Sequence, residues 1–127
     1  MSRQKSPERS VLLRPRLRVL CQGETVLGPG RVDLLEFIGE TGSLRSAAAR
    51  MEMSYMRAWT IVKSVNAWFH APLVEVARGG KRGGGAKLTE AGRGIVSLYR
   101  RMEKESQSAT GHTWKEIRKL LRASAGN

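Results

Sequence analysis

The groups in this sequence that could do chemistry are concentrated in two short runs. One is Ser54-Tyr55-Met56-Arg57, followed by Thr60 and Lys63; the other is Arg78-Gly79-Gly80-Lys81-Arg82-Gly83-Gly84-Gly85. Arginine can donate two parallel hydrogen bonds to a guanine edge or a phosphate, whereas lysine meets phosphate as a point charge. Glycines let backbone approach a sugar-phosphate surface closely, so Arg78, Lys81 and Arg82 could neutralise phosphates or enter a minor groove. The plainer alternative for this run is a surface hairpin whose charges only confer solubility. A nucleotide-binding cradle is excluded, because that pattern needs Lys followed by Ser or Thr at a helix head, and Lys81 is followed by Arg82 and three glycines. Catalytic sets are absent: His70 precedes Ala71-Pro72, His112 sits in a polar stretch, and neither has a Ser, Cys or Asp neighbour at a triad's spacing. Asp33, Glu36 and Glu40 fall near one side of one predicted helix and read as a solvated face. Cys21 is the single cysteine, which with two histidines supplies neither a disulfide framework nor a zinc-ligand set. The chain is not expected to be an enzyme, and no cofactor or metal is expected.

The chain has 127 residues, 40% of them apolar and 27% charged, enough for one folded domain and too few for two. No apolar run is long enough to cross a bilayer and the first fifteen residues lack a secretory signal's apolar stretch, so a cytoplasmic protein is expected. The 23 basic and 11 acidic residues give a net charge of +12. A field of that sign favours nucleic acid first, an anionic membrane surface second and an acidic protein third. The charge is also segregated. Arg3, Lys5, Arg9, Arg14, Arg16 and Arg18 crowd the first twenty residues, whereas residues 33–40 hold three acids and no base.

The elements that must position these groups can be read from periodicity. Residues 1–13 are expected to form a basic, flexible arm. From Arg14 to Gln22 the pattern Arg16, Leu17, Arg18, Val19 alternates as a half-buried strand does, and Gly23-Glu24 turns the chain into an extended piece, Thr25 to Leu27. Pro29 suits the first turn of a helix with Val32, Leu35 and Ile38 on its buried face, ended by Gly42. Ser43 is a good N-cap for a second, short helix with Leu44, Ala47, Ala48 and Met51 at i, i+3, i+4 and i+7. After only Glu52 and Met53, Ser54 caps a third helix with Ala58, Val62, Val65 and Phe69 at helical spacing, which stops at His70-Ala71-Pro72. Leu73 to Ala77 and Ala86 to Leu88 then flank the glycine-rich run as a hairpin. Thr89 caps a longer helix whose Ala91, Ile95, Leu98 and Met102, supplemented by Val96 and Tyr99, make two apolar stripes. A polar stretch from Ser106 to Gly111 is expected to break it before a short basic amphipathic helix opened by the Thr113–Glu116 capping box.

This order of strand, two helices joined by a tight turn to a third, hairpin and helix is the plan of a winged helix-turn-helix. The expected class is mainly α (α+β), with a β-hairpin wing and a long C-terminal dimerisation helix. With Ala58, Val62 and Val65 inward and steps of ~100° per residue, the third helix points Met56, Thr60 and Lys63 outward, with Arg57 and Ser64 at the edge. Ser54, Tyr55, Met56, Arg57 and Thr60 lie nearest the end that enters a major groove, Arg57 suited to guanine and Lys63 to a phosphate. Tyr55 could equally belong to the core with its hydroxyl at the rim. The alternative for the whole segment is an ordinary helical core with a solvated polar face. Trp59 and Trp68 flank the apolar stripe and read as packing residues.

Gly42-Ser43-Leu44 with Ala47-Ala48, Met53-Ser54-Tyr55, Ala58-Trp59, Val65-Asn66, Pro72-Leu73-Val74-Glu75, the Gly-Gly-x-x-Gly-Gly-Gly-Ala wing and Leu88-Thr89-Glu90-Ala91-Gly92 together resemble the N-terminal domain of the ModE molybdenum-responsive regulators. More distantly they are similar to LysR-type regulators. The resemblance covers about residues 14–105 and implies a homodimeric transcription factor binding a pseudopalindromic site on double-stranded DNA. Leu17, Val19, Ile95, Leu98, Tyr99 and Met102 would join the subunits. Full-length ModE regulators continue into molybdate-binding domains after the long helix; the expectation here is a regulator without its own sensor, with residues 106–127 forming a linker and the short basic helix. That helix is expected to dock on protein, not on a membrane. The competing reading is a dimeric adaptor of the same fold that works with a separate effector-sensing protein. If the wing meets phosphates, replacing Lys81 and Arg82 together by alanine will weaken binding to all DNA sequences and flatten the slope of log K against log salt by about two units. Titrations of labelled duplex over a salt series measure this; an unchanged slope refutes it.

Overall fold

The computed structural model describes residues 10–77 and 85–122. It divides into two compact units, one spanning Arg16–Arg101 and the other combining the residues up to Pro15 with those from Met102 onward. Chain order is β1 (Val19–Cys21), β2 (Glu24–Leu27), α1 (Pro29–Thr41), α2 (Leu44–Arg50), α3 (Tyr55–Trp68), β3 (Val74–Val76), β4 (Ala86–Leu88) and α4 (Glu90–Lys119). This is the winged helix-turn-helix order, with two separate antiparallel hairpins, β1–β2 and β3–β4.

Local chemistry accounts for the boundaries. Gln22 and Gly23 both have positive φ, as a two-residue hairpin turn between β1 and β2 requires. Pro29 opens α1 behind Gly28, and Gly42, in the left-handed conformation, closes it by donating its N–H to Ile38 O. The Ser43 and Ser54 hydroxyls accept from the N–H groups of Ser46 and Arg57, capping α2 and α3. Thr89 caps α4, accepting from Gly92 N while its own hydroxyl donates to Pro72 O.

The main core packs Leu34, Leu35 and Ile38 of α1, Leu44, Ala47 and Ala48 of α2, and Ala58, Ile61, Val62 and Val65 of α3 against Leu73, Val74, Ala86 and Leu88 around the second hairpin. A smaller cluster joins Val26, Leu27 and Val32 to Tyr99 of α4, with Leu17 packed on it. Arg100 of α4 grips α1 electrostatically: its Nε and Nη2 form a fork on the two Glu36 carboxylate oxygens, and Nη2 also reaches Asp33 Oδ1 at 2.7 Å. Glu40 pairs with Arg50 at 2.8 Å. The three acids expected on a merely solvated face are therefore each engaged by an arginine.

Three expectations change. The strand expected from Arg14 to Gln22 is confined to Val19–Cys21, is exposed throughout and pairs, among the described residues, with β2 alone. The break expected at 106–111 does not occur, and α4 runs unbroken from Glu90 to Lys119 with the Thr113–Glu116 box inside it. Ser, Thr, Gln and a single Gly each cost a helix under about 1 kcal/mol, and Thr110 Oγ1 satisfies itself by donating to Ser106 O. The boundaries at 13/14 and 105/106 accordingly move: residues 10–15 group with the chain beyond Met102, where Gln107 Nε2 donates to Leu13 O. Lastly Tyr99, expected to face another subunit, is 1% exposed within its own chain, and its hydroxyl donates to Leu17 O at 2.7 Å.

At Gly92 a Cβ would overlap the carbonyl of Leu73, since α4 starts directly against the chain entering β3. A Cβ at Gly94 meets nothing. Gly92→Ala should therefore destabilise by about 1–3 kcal/mol through overpacking, whereas Gly94→Ala should stabilise by up to about 1 kcal/mol through helix propensity. Urea midpoints moving in opposite directions, at constant m-value, are the expected result.

Candidate nucleic-acid interface

The geometry of the interface begins in the turn between α2 and α3. Met53 N–H donates to Ala48 O and Glu52 N–H to Ala49 O, while Glu52 adopts the left-handed conformation at φ 57°. This paired closure ends α2 within two residues and sends the chain directly into the Ser54 cap. Ala47 and Ala48 are buried without bulk, so α2 and α3 approach closely.

Burial of Ala58, Ile61, Val62 and Val65 then fixes which face of α3 looks outward. Ser54, Tyr55, Met56, Arg57, Thr60 and Lys63 all lie on the exposed side, Met56 at 67%. Thr60 Oγ1 donates its proton to Met56 O, which leaves its methyl and lone pairs as outward groups. Ser54 Oγ accepts from Arg57 N and retains its own hydroxyl proton. Trp59 packs against the core, while Trp68 is partly exposed at the far end.

The electrostatics of the face are one-sided. Arg31 of α1 lies against α3, donating from Nη1 to Ser64 Oγ at 2.8 Å and to Val26 O at 3.3 Å. Ser64, read from the sequence at the edge of the outward face, is thus occupied by Arg31. Burial, followed by the like charge of Arg57, lowers the Arg31 guanidinium from its ordinary value. An arginine remains protonated at physiological pH all the same, so Arg31 adds its charge to those of Arg57 and Lys63. Arg45 of α2 lies over the Tyr55 ring, 4.8 Å from its centroid. Neither Arg31 nor Arg45 was singled out from the sequence. Arg45 follows the Ser43 cap closely enough to have been suspected; Arg31 carries no local signal, because its partners come from distant segments.

The hairpin is tied to α3 by one side chain. Asn66 Oδ1 accepts from Leu73 N and Val74 N at 2.8 and 3.1 Å, and its Nδ2 donates to Val74 O. β3 and β4 pair from Val74–Leu88 to Val76–Ala86, and Ala77 N continues the ladder to Gly85 O. The wing cations Arg78, Lys81 and Arg82 lie outside the described residues. Of the residues expected to join subunits, Leu17, Ile95 and Tyr99 pack within their own chain, while Val19, Leu98 and Met102 are exposed. His70 and His112 are exposed, Cys21 is a free, exposed thiol, and no metal-holding cluster occurs among the described residues.

Residues 31–93 match the model for bacterial regulatory helix-turn-helix proteins of the lysR family. The molybdenum transport protein ModE of Azotobacter vinelandii is 44% identical over 85 residues, covering 67% of this chain and 32% of that protein. The DNA-binding transcriptional dual regulator ModE of Escherichia coli K12 is 36% identical over 93 residues, covering 73% of this chain and 36% of the relative. The chain thus spans about a third of the length of these curated relatives. Among solved structures, the protein of a CbnR DBD–DNA complex superposes with a TM-score of 0.53 at 20% identity, over 68% of this chain and 94% of that one, which shows a shared fold.

Truncating Asn66 to alanine removes three hydrogen bonds to Leu73 and Val74 at once. The expected cost is about 1–3 kcal/mol, read as a lower chemical-denaturation midpoint. An unchanged midpoint would show that solvent replaces the amide fully.

Proposed function

We propose, from a chain that carries a LysR-type helix-turn-helix domain at residues 31–93 and has ModE proteins among its homologues, that it acts as a sequence-specific DNA-binding transcriptional regulator. The observation that carries this reading is the continuous exposed row Ser54, Met56, Arg57, Thr60 and Lys63 on a helix whose opposite face is buried. In the major groove, Arg57 would suit a fork onto guanine O6 and N7, and Met56 and the Thr60 methyl would suit thymine methyls. Lys63, one turn on, and the Ser54 hydroxyl suit phosphates, as do the wing cations Arg78, Lys81 and Arg82. Arg31 contributes field, since its donors are already directed at Ser64 and Val26.

The working form in this reading is a homodimer. Val19 and Leu20 of β1 and Leu98 of α4 present apolar side chains to solvent, Leu20 and Leu98 each at 53% exposure, and Met102 is likewise exposed. Burying such groups against a second copy is favourable at about 25 cal/mol per Å2. A two-fold dimer reads a pseudopalindrome with half-sites one DNA turn, or a small multiple, apart.

Selection of bound sites from random duplex DNA with the purified protein tests this directly. The expected product is a symmetric motif; recovery of no motif would favour the adaptor reading. On the selected site, Arg57→Ala should cost about 1–3 kcal/mol and relax choice at one base position. An equal loss on random DNA would assign Arg57 to the backbone instead.

A further inference from the structure

Two arginines on α2 have opposite surroundings. Arg50 is held by Glu40 at 2.8 Å and lies over Phe37. Arg45 is exposed, and among the described residues it has neither a carboxylate partner nor a hydrogen bond; its guanidinium carbon lies over the ring of Tyr55, 4.8 Å from the centroid. That ring belongs to the first residue of α3, which bears the outward row. A guanidinium lying over an aromatic face is held by the ring quadrupole while its N–H groups radiate in its own plane. The stack therefore restricts Arg45 without using its donors, and an ion whose planar fork is already oriented loses less freedom when it takes a tetrahedral oxyanion.

We infer that Arg45 is a phosphate-binding residue of the DNA interface, and that Tyr55 is a positioning residue acting through it by stacking. The inference rests on the DNA-binding reading above. The ligand is a backbone phosphate of duplex DNA: a planar cation with two adjacent free N–H edges matches two non-bridging oxygens on one phosphorus. Its place on the neighbouring helix supplies a second anchor for the reading head from outside α3. Two anchors on different helices set the angle at which α3 lies in a groove, which one helix with its own cations cannot do. Tyr55 accordingly contributes through its ring and not through base contact.

The test uses the full chain and a mixed-sequence duplex of about 30 base pairs, long enough for the dimer's two half-sites, titrated over a salt series. Arg45→Ala should flatten the slope of log K against log salt by about one unit per protomer, hence about two for the dimer, equally on mixed and selected sequences. Arg45→Lys should keep the slope but bind more weakly, since the charge survives and the fork does not. Tyr55→Leu should weaken binding in the wild-type background and add nothing to Arg45→Ala. Tyr55→Phe should recover most of what Tyr55→Leu loses. Thermal melts of each variant separate these effects from unfolding, and the slope itself reports on ions released, which a packing defect does not alter. Should any outcome depart from this pattern, whether an unchanged slope in Arg45→Ala, additive losses, or Tyr55→Phe as weak as Tyr55→Leu, the inference is overturned. Failure of the wild-type chain to bind any duplex would instead overturn the DNA-binding reading itself.

Discussion

One constraint governs the rest of the molecule: α3 has a single apolar stripe, and Ala58, Val62 and Val65 leave no more than 1% of their surface to water. A helix that buries one stripe has no freedom of rotation, so Thr60 and Lys63 between those positions are delivered outward and Ser64 is turned to Arg31. Shifting α3 by one residue would put Arg57 or Lys63 into the core, where an unpaired charge costs several kcal/mol or more. The apolar residues thus determine where the chemistry stands, although none of them touches a ligand. Asn66 extends the same control to the second hairpin, because its amide clasps the backbone at Leu73 and Val74 and so references the wing strands to α3.

Charge is partitioned by the same framework. The acids on α1 are each matched to an arginine, Asp33 and Glu36 to Arg100 and Glu40 to Arg50. Such half-exposed pairs contribute modestly to stability, typically under about 1 kcal/mol apiece. They also tie these three carboxylates to Arg100 and Arg50, while Arg57 and Lys63 have no ion pair among the described residues. Arg31 is the extreme case: it is sequestered enough to be depressed from its ordinary value and sits near another arginine. An arrangement that places like charges together gains from a polyanion arriving between them.

Much of this was legible in the residues. The Ser43 and Ser54 caps, Pro29, Gly42 and the spacing of Ala58, Val62 and Val65 each act within a turn or two, and local rules suffice for them. What escaped was set by partners distant in sequence or by competition among weak preferences. The stretch from Ser106 to Gly111 looks like a linker residue by residue, yet no strong breaker occurs in it and the helix on either side carries through. Tyr99 looks like a surface stripe until Leu17 supplies an acceptor for its hydroxyl. Arg45 looks like any solvated helical cation until the chain turns through Glu52 and brings Tyr55 beneath it.

The bond from Tyr99 to Leu17 joins residues 82 apart in sequence. Ribosomes release β1 and β2 early, and two strands alone are marginal in water. Part of their docking surface, Val32 and Arg31 of α1, follows soon after, but Tyr99 does not exist until α4 has been translated, so the second cluster is completed only then. Vectorial synthesis therefore delivers α1, α2 and α3 before the first hairpin can complete its second cluster.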